Sequence, residues 1–115
     1  MNNYSGWEVV LGNINDGIDL SSYSSLVFQL RGANGGEKFN IWLMTPVSGD
    51  PPFRRNYKSL AANNSWQQIM ISLSDFTGSS NPAEQIDLDH INKIQFIFEW
   101  QDASGTIFID DLCVQ

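Results

Sequence analysis

The sequence predicts an all-β protein, an antiparallel two-sheet β-sandwich formed by a single domain over residues 1–115. Three observations carry this reading. Strand-like runs recur along the whole length, each bounded by Gly, Pro, Asn, Asp or Ser, the residues that supply turn geometry. Within the runs apolar and polar residues alternate, the period of two that a half-buried strand imposes. No segment sustains a helical period over three turns. About seven short strands with polar connections point to a sandwich, and 115 residues suffice to bury one core unaided.

Each run can be justified in order. Gly6–Leu11 puts Trp7, Val9 and Leu11 on one parity, read as core, and stops at Gly12-Asn13. Leu26–Arg31 turns Leu26, Phe28 and Leu30 inward and Val27, Gln29 and Arg31 outward, then breaks at the glycine-rich Gly32–Gly36. In Lys38–Thr45, Phe39, Ile41 and Leu43 form the buried set, leaving Asn40 and Trp42 opposite. After Ser48-Gly49-Asp50-Pro51-Pro52, the run Phe53–Lys58 gives Phe53, Arg55 and Tyr57 a shared parity. Trp66–Leu73 buries Ile69, Ile71 and Leu73 against outward Gln68, Met70 and Ser72. Short turns are expected at Leu20–Tyr23 and Leu88–Asn92. Lys93–Trp100 buries Ile94, Phe96 and Phe98, sets Trp100 at the core rim, and turns out Gln95, Ile97 and Glu99.

The last run, Thr106–Val114, breaks its own pattern. Ile107 and Ile109 share one parity, Leu112 and Val114 the other. A one-residue bulge at Asp110-Asp111 restores both pairs to one face and leaves a carboxylate outside the ladder.

Charge excludes several functions. Six basic against thirteen acidic residues give a net charge of -7, the wrong sign for phosphate backbones or anionic membranes. Neutral polysaccharides are favoured over acidic ones for the same reason. The single Cys113 forms no intrachain disulfide, so cysteine usage leaves the compartment open. No apolar run reaches about 18 residues, and Met1-Asn2-Asn3-Tyr4 lacks the basic and apolar regions of a secretory signal.

Catalysis has little support. His90 is the only histidine and falls in an expected surface turn. No nucleophile elbow, zinc-ligand spacing or phosphate-binding glycine loop occurs. Glycoside hydrolysis needs two carboxylates flanking the scissile bond, and the strand pattern brings no two of Glu8, Glu37, Glu84 and Glu99 together.

Binding is better supported. Trp42, outward beside Asn40, offers a flat apolar plate among hydrogen-bonding groups, which suits the C–H faces and polar edges of a sugar ring. Arg55 and Tyr57 extend that reading, and they equally fit a solvated edge strand protected by charge. Gln29, Arg31, Gln68, Gln95 and Glu99 add donors and acceptors on outer faces. One sequence does not say which of them share a sheet. The alternative is a structural or protein-interaction domain in which a partner covers Trp42.

Three segments carry a family resemblance: Ile18-Asp19-Leu20-Ser21-Ser22-Tyr23 before Leu26-Val27-Phe28, then Trp66–Phe76, then Gly105–Leu112. In order and spacing they resemble the β-jelly-roll carbohydrate-binding modules around family eleven, which accompany glucan-degrading enzymes. The resemblance covers roughly residues 18 to 115. It implies a two-sheet jelly roll holding a glycan, a β-glucan or related neutral polysaccharide, on one sheet. It also implies attachment to a secreted glycoside-degrading parent enzyme and an extracellular setting, and it suggests a packing role for Trp66. Family modules usually begin with one or two further strands, which complete a sheet edge and contribute to a structural calcium site. Asp110 is the expected calcium ligand here, against the plainer reading of bulge acids facing water. An open sheet edge leads to the expectation of a homodimer paired across it.

Overall fold

The computed structural model describes residues 5–13, 15–48, 53–78, 86–98 and 105–115. They form two antiparallel sheets, as the alternation requires. The strands are β1 (Ser5–Val10), β2 (Ser25–Gly32), β3 (Lys38–Pro46), β4 (Phe53–Ala61), β5 (Gln67–Ser72), β6 (Thr77–Gly78), β7 (Lys93–Phe98) and β8 (Ile107–Val114). One sheet has the order β1-β7-β3-β4-β6 and the other β5-β2-β8. A short 3-10 turn, Leu73–Asp75, lies between β5 and β6.

The core forms where inward parities of the two sheets meet. β2 contributes Leu26, Phe28 and Leu30, and β3 contributes Phe39, Ile41 and Leu43, all buried. Phe28 meets Phe96 of β7 edge to face, with ring centroids 5.6 Å apart, the geometry that sets a positive ring edge against a negative ring face. Leu73 and Phe76 join the core from the 3-10 turn. Leu20 and Ile91 close one end, where Ile18 bridges Ile91 and the Leu20 N–H donates to the Leu88 carbonyl at 2.7 Å.

The expected irregularity in the last strand is present. β8 pairs β2 with Val27 opposite Cys113 but Gln29 opposite Asp110, so the register shifts between them. Asp111 takes a φ of 55°, left-handed backbone that a bulge requires and a short polar side chain tolerates. The Asp110 carboxylate accepts the Asp111 N–H at 2.8 Å.

Trp7 departs from expectation. It has core parity and its ring lies 5.6 Å from that of Phe96, yet it is 55% exposed. β1 and β8 border the two sheets on the same side of the sandwich, and the seam between them is open. A cavity of about 390 Å3 there is lined by Trp7, Phe96, Phe98, Ile107 and Ile109. Parity placed Trp7 correctly, but among the described residues no strand lies over it.

The corner where the chain passes from β2 to β3 is fastened by a buried acid. Glu37 is 6% exposed, and its carboxylate accepts the Asn34 N–H at 2.7 Å. Its backbone continues the lock, since the Glu37 carbonyl accepts the Ala62 N–H and the Ala62 carbonyl accepts the Gly36 N–H. Gly32 leaves room for this carboxylate, and any Cβ there would collide with it.

The amide hydrogen bond, foremost that from Asn34, holds the Glu37 carboxyl below its ordinary value of 4.5. A folded value below the unfolded one stabilises the fold above about pH 4.5, and that contribution is lost as pH falls through the folded value. Glu37→Gln is therefore expected to lower the denaturant midpoint at pH 7 and to flatten its fall between neutral and acid pH. Chemical denaturation at several pH values measures both effects.

Candidate functional site

The outer face of the five-stranded sheet gathers one group of the predicted binding residues. Strand register sets Trp42 directly between Tyr57 of β4 and Gln95 of β7, with Glu8 of β1 beyond Gln95. One row along, Met44 lies between Arg55 and Lys93; one row back, Asn40 lies between Ser59 and Ile97. These placements follow from period-two alternation once the register is fixed.

The Trp42 and Tyr57 rings lie 5.1 Å apart and tilted by 43°. The Arg55 guanidinium sits over both Trp42, at 4.8 Å, and Phe53, at 5.3 Å, attracted by the negative ring faces. Polar groups surround this stack. The Gln95 amide donates to the Glu8 carboxylate at 2.7 Å, and Lys93 Nζ lies 3.6 Å from the same oxygen. The Ser59 hydroxyl donates to the Asn40 amide oxygen. At one end of the face, a cavity of about 490 Å3 opens beside Met44, Pro46, Phe53 and Lys93.

One expectation is corrected here. Trp42 does point to the outer face, but it is only 6% exposed. Tyr57 and Arg55, its cross-strand neighbours, lean over the indole. Trp42 supports the face from beneath, and Tyr57 and Arg55, each partly exposed, present it.

The structure separates the remaining predicted residues from this group. Gln29, Arg31, Gln68 and Asp110 lie on the outer face of the three-stranded sheet, on the far side of the core. There Gln29 is flanked by Gln68 and Asp110, and Arg31 is opposite Phe108. Trp66, immediately before β5, was expected from the family resemblance to have a packing role. It is 51% exposed, and Arg31 stacks over its ring at 5.6 Å. Glu99 and Trp100 lie outside the described residues. His90 is exposed, as expected of a surface turn.

Sequence reasoning missed Phe53 as a second ring for Arg55, and Met44 and Lys93 as a row of the same face. The shared parity of Phe53 with Arg55 was a usable signal. Membership of Lys93 needed the β3–β7 register, which no local pattern encodes.

Calcium takes several oxygens, backbone carbonyls as well as carboxylates, and Asp110 is the residue expected to supply one. Among the described residues no group of three His, Cys, Asp or Glu side chains converges, and one Asp110 oxygen already accepts a backbone N–H.

Two packed antiparallel sheets, one with rings, amides and a guanidinium on its outer face, define the class of a jelly-roll module. The comparisons make this specific. The family described as Carbohydrate binding domain 30 matches residues 1–115, and the chain belongs to that family. It is a non-catalytic carbohydrate-binding domain. No curated protein matches it.

Among solved structures, a family 11 module from Clostridium thermocellum, in complex with a β-1,3-1,4-mixed-linked tetrasaccharide, superimposes with a TM-score of 0.78 at 18% identity, covering 96% of this chain and 67% of that one. A family 30 module of a cellulosomal cellulase from the same organism gives a TM-score of 0.77 at 21% identity, covering 97% of this chain and 67% of that one. At these identities the likeness is one of fold, and it bears out the jelly roll. The chain spans about two thirds of the length of these structures.

Burial of Trp42 makes a direct prediction. Trp42→Ala is expected to cost about 3–5 kcal/mol of stability, the usual penalty for truncating a buried Trp. Tyr57→Ala, at a partly exposed position, is expected to cost much less. Equilibrium urea unfolding of the two variants measures the contrast.

Proposed function

We propose that the outer face of the five-stranded sheet binds a neutral β-glucan, with Tyr57 and Arg55 as its principal contacts. The observation that carries this is the stacked Arg55 guanidinium, held over Trp42 and Phe53 with Tyr57 beside it. Stacking on two rings fixes a flexible side chain before any ligand arrives, which reduces the ordering cost of binding. Its N–H groups then meet sugar hydroxyls while the Tyr57 ring covers a C–H face. Gln95 and Glu8 along the same row, and Asn40 one row back, supply further acceptors and donors.

The choice of a β-glucan draws on two supports. The net charge of -7 disfavours acidic chains, and a structurally similar family 11 module is solved with a mixed-linked tetrasaccharide. On this reading the domain holds a parent polysaccharide-degrading enzyme against its substrate, in an extracellular setting. Similar modules belonging to cellulosomal cellulases support that setting.

Affinity electrophoresis against mixed-linkage β-glucan, xylan and mannan tests the proposal. Retardation by the β-glucan is expected, and Tyr57→Ala or Arg55→Ala should weaken it about tenfold, equivalent to about 1.4 kcal/mol. Absence of retardation by every polymer would refute it.

The open seam favours a second element of this reading. With Trp7 of β1 55% exposed and the edge of β8 unpaired among the described residues, we propose that a second copy of the chain pairs along this side. Light scattering over a concentration series is expected to show a rising dimer fraction. A constant mass of 12.9 kDa would reject it.

A further inference from the structure

We infer that the outer face of the three-stranded sheet is a second glycan-binding surface, centred on Arg31 between Trp66 and Phe108. The inference rests on the β-glucan reading for its ligand class and concerns a different face of the molecule.

Three rows cross this face. Trp66, Arg31 and Phe108 form the first, Gln68, Gln29 and Asp110 the second, and Met70, Val27 and Cys113 the third. Arg31 Cζ lies 4.4 Å from the centroid of the Phe108 ring and 5.6 Å from that of Trp66. This repeats on the opposite sheet the device of Arg55 over Trp42 and Phe53. The difference lies in access. Trp66 is 51% and Phe108 39% exposed, against 6% for Trp42.

Arg31 has no ion pair among the described residues, and its buried Nε has no hydrogen-bond partner. Its contacts are the two rings. The terminal nitrogens of the guanidinium, held beside two exposed rings, are placed to donate to the hydroxyls of a sugar ring that stacks on the indole. The neighbouring Gln29 and Gln68 amides offer both donors and acceptors to further hydroxyls.

Size and charge choose among occupants. Strands about 4.8 Å apart and same-face residues about 6.8 Å apart along each strand give the three rows a footprint of roughly 10 by 14 Å. That accommodates about two sugar rings. A stable protein interface needs on the order of 800 Å2 per partner with an apolar centre, whereas the middle row here is two amides and a carboxylate. A polyanionic glycan would meet Asp110 and a chain of net charge -7, so a neutral glycan is the match. With sites on opposite sheets, one module would bridge two polysaccharide chains.

The test is a 15N NMR titration of the whole protein with a β-1,3-1,4-mixed-linked glucan tetrasaccharide. The expected result is two sets of shifts, one around Tyr57 and one comprising the Trp66 indole N–H with the amides of Gln29, Arg31, Gln68 and Phe108. Tyr57→Ala should weaken only the first set. Trp66→Ala should weaken the second at least tenfold and leave the first intact. Arg31→Gln, which spares the rings, should weaken the second in the same way. The wild type should also cross-link long mixed-linkage β-glucan into a precipitate that Trp66→Ala does not form. Shifts confined to the Tyr57 set would overturn the second surface and leave the first. Shifts at neither face would overturn both. Shifts at Trp66 that follow protein concentration without sugar would identify a protein contact and also overturn it.

Discussion

Everything in this domain depends on β3 being buried on both sides. It is the middle strand of the five-stranded sheet, paired with β4 along its whole length and with β7 from Asn40 to Met44. Phe39, Ile41 and Leu43 point into the core, while Trp42 and Met44, on the other parity, are also buried at 6% exposure each. A strand covered on one face alone would leave Trp42 as a loose plate in water. Covered on both, it becomes a floor. The guanidinium of Arg55 and the ring of Tyr57 rest on that floor, so these partly exposed groups inherit the rigidity of the core through one layer of indole.

The same economy recurs on the other sheet. Arginine stacked on aromatic rings gains from the ring quadrupole, about 0.5–1 kcal/mol at exposed sites and more when desolvated. It thereby holds a long side chain in one place over the sheet. Arg55 and Arg31 occupy this state on opposite sides of one core. Both proposed binding faces rest on this one device.

The sequence made the sandwich legible because alternation is a local signal and each strand shows it. The bulge in β8 was legible too, since a parity change between Ile109 and Leu112 has one simple remedy. β6 was not, because two residues, Thr77 and Gly78, carry no period. Glu37 was not, because an acid between Gly35-Gly36 and Lys38 reads like any solvated turn. The tryptophans show the limit most clearly. Parity states the face on which a side chain lies, and it did so for Trp7 and Trp42. It does not state what lies over that face, which is decided by strand order and register. Trp42 is covered by partners from β4. Trp7, facing the core, is uncovered because it borders the open seam. The division of Gln29, Arg31 and Gln68 from Asn40, Arg55, Tyr57 and Gln95 has the same origin, since sheet membership is a long-range property of pairing.

A crystal structure of the protein with a β-1,3-1,4-mixed-linked glucan tetrasaccharide tests the central claim most directly, because it locates the sugar relative to the Trp42 floor. The account predicts sugar rings lying across the outer face of β3 and β4, in contact with the Tyr57 ring and hydrogen-bonded to the Arg55 guanidinium, with Trp42 beneath and still shielded. Sugar bound elsewhere on the molecule, with Tyr57 and Arg55 untouched, would contradict it.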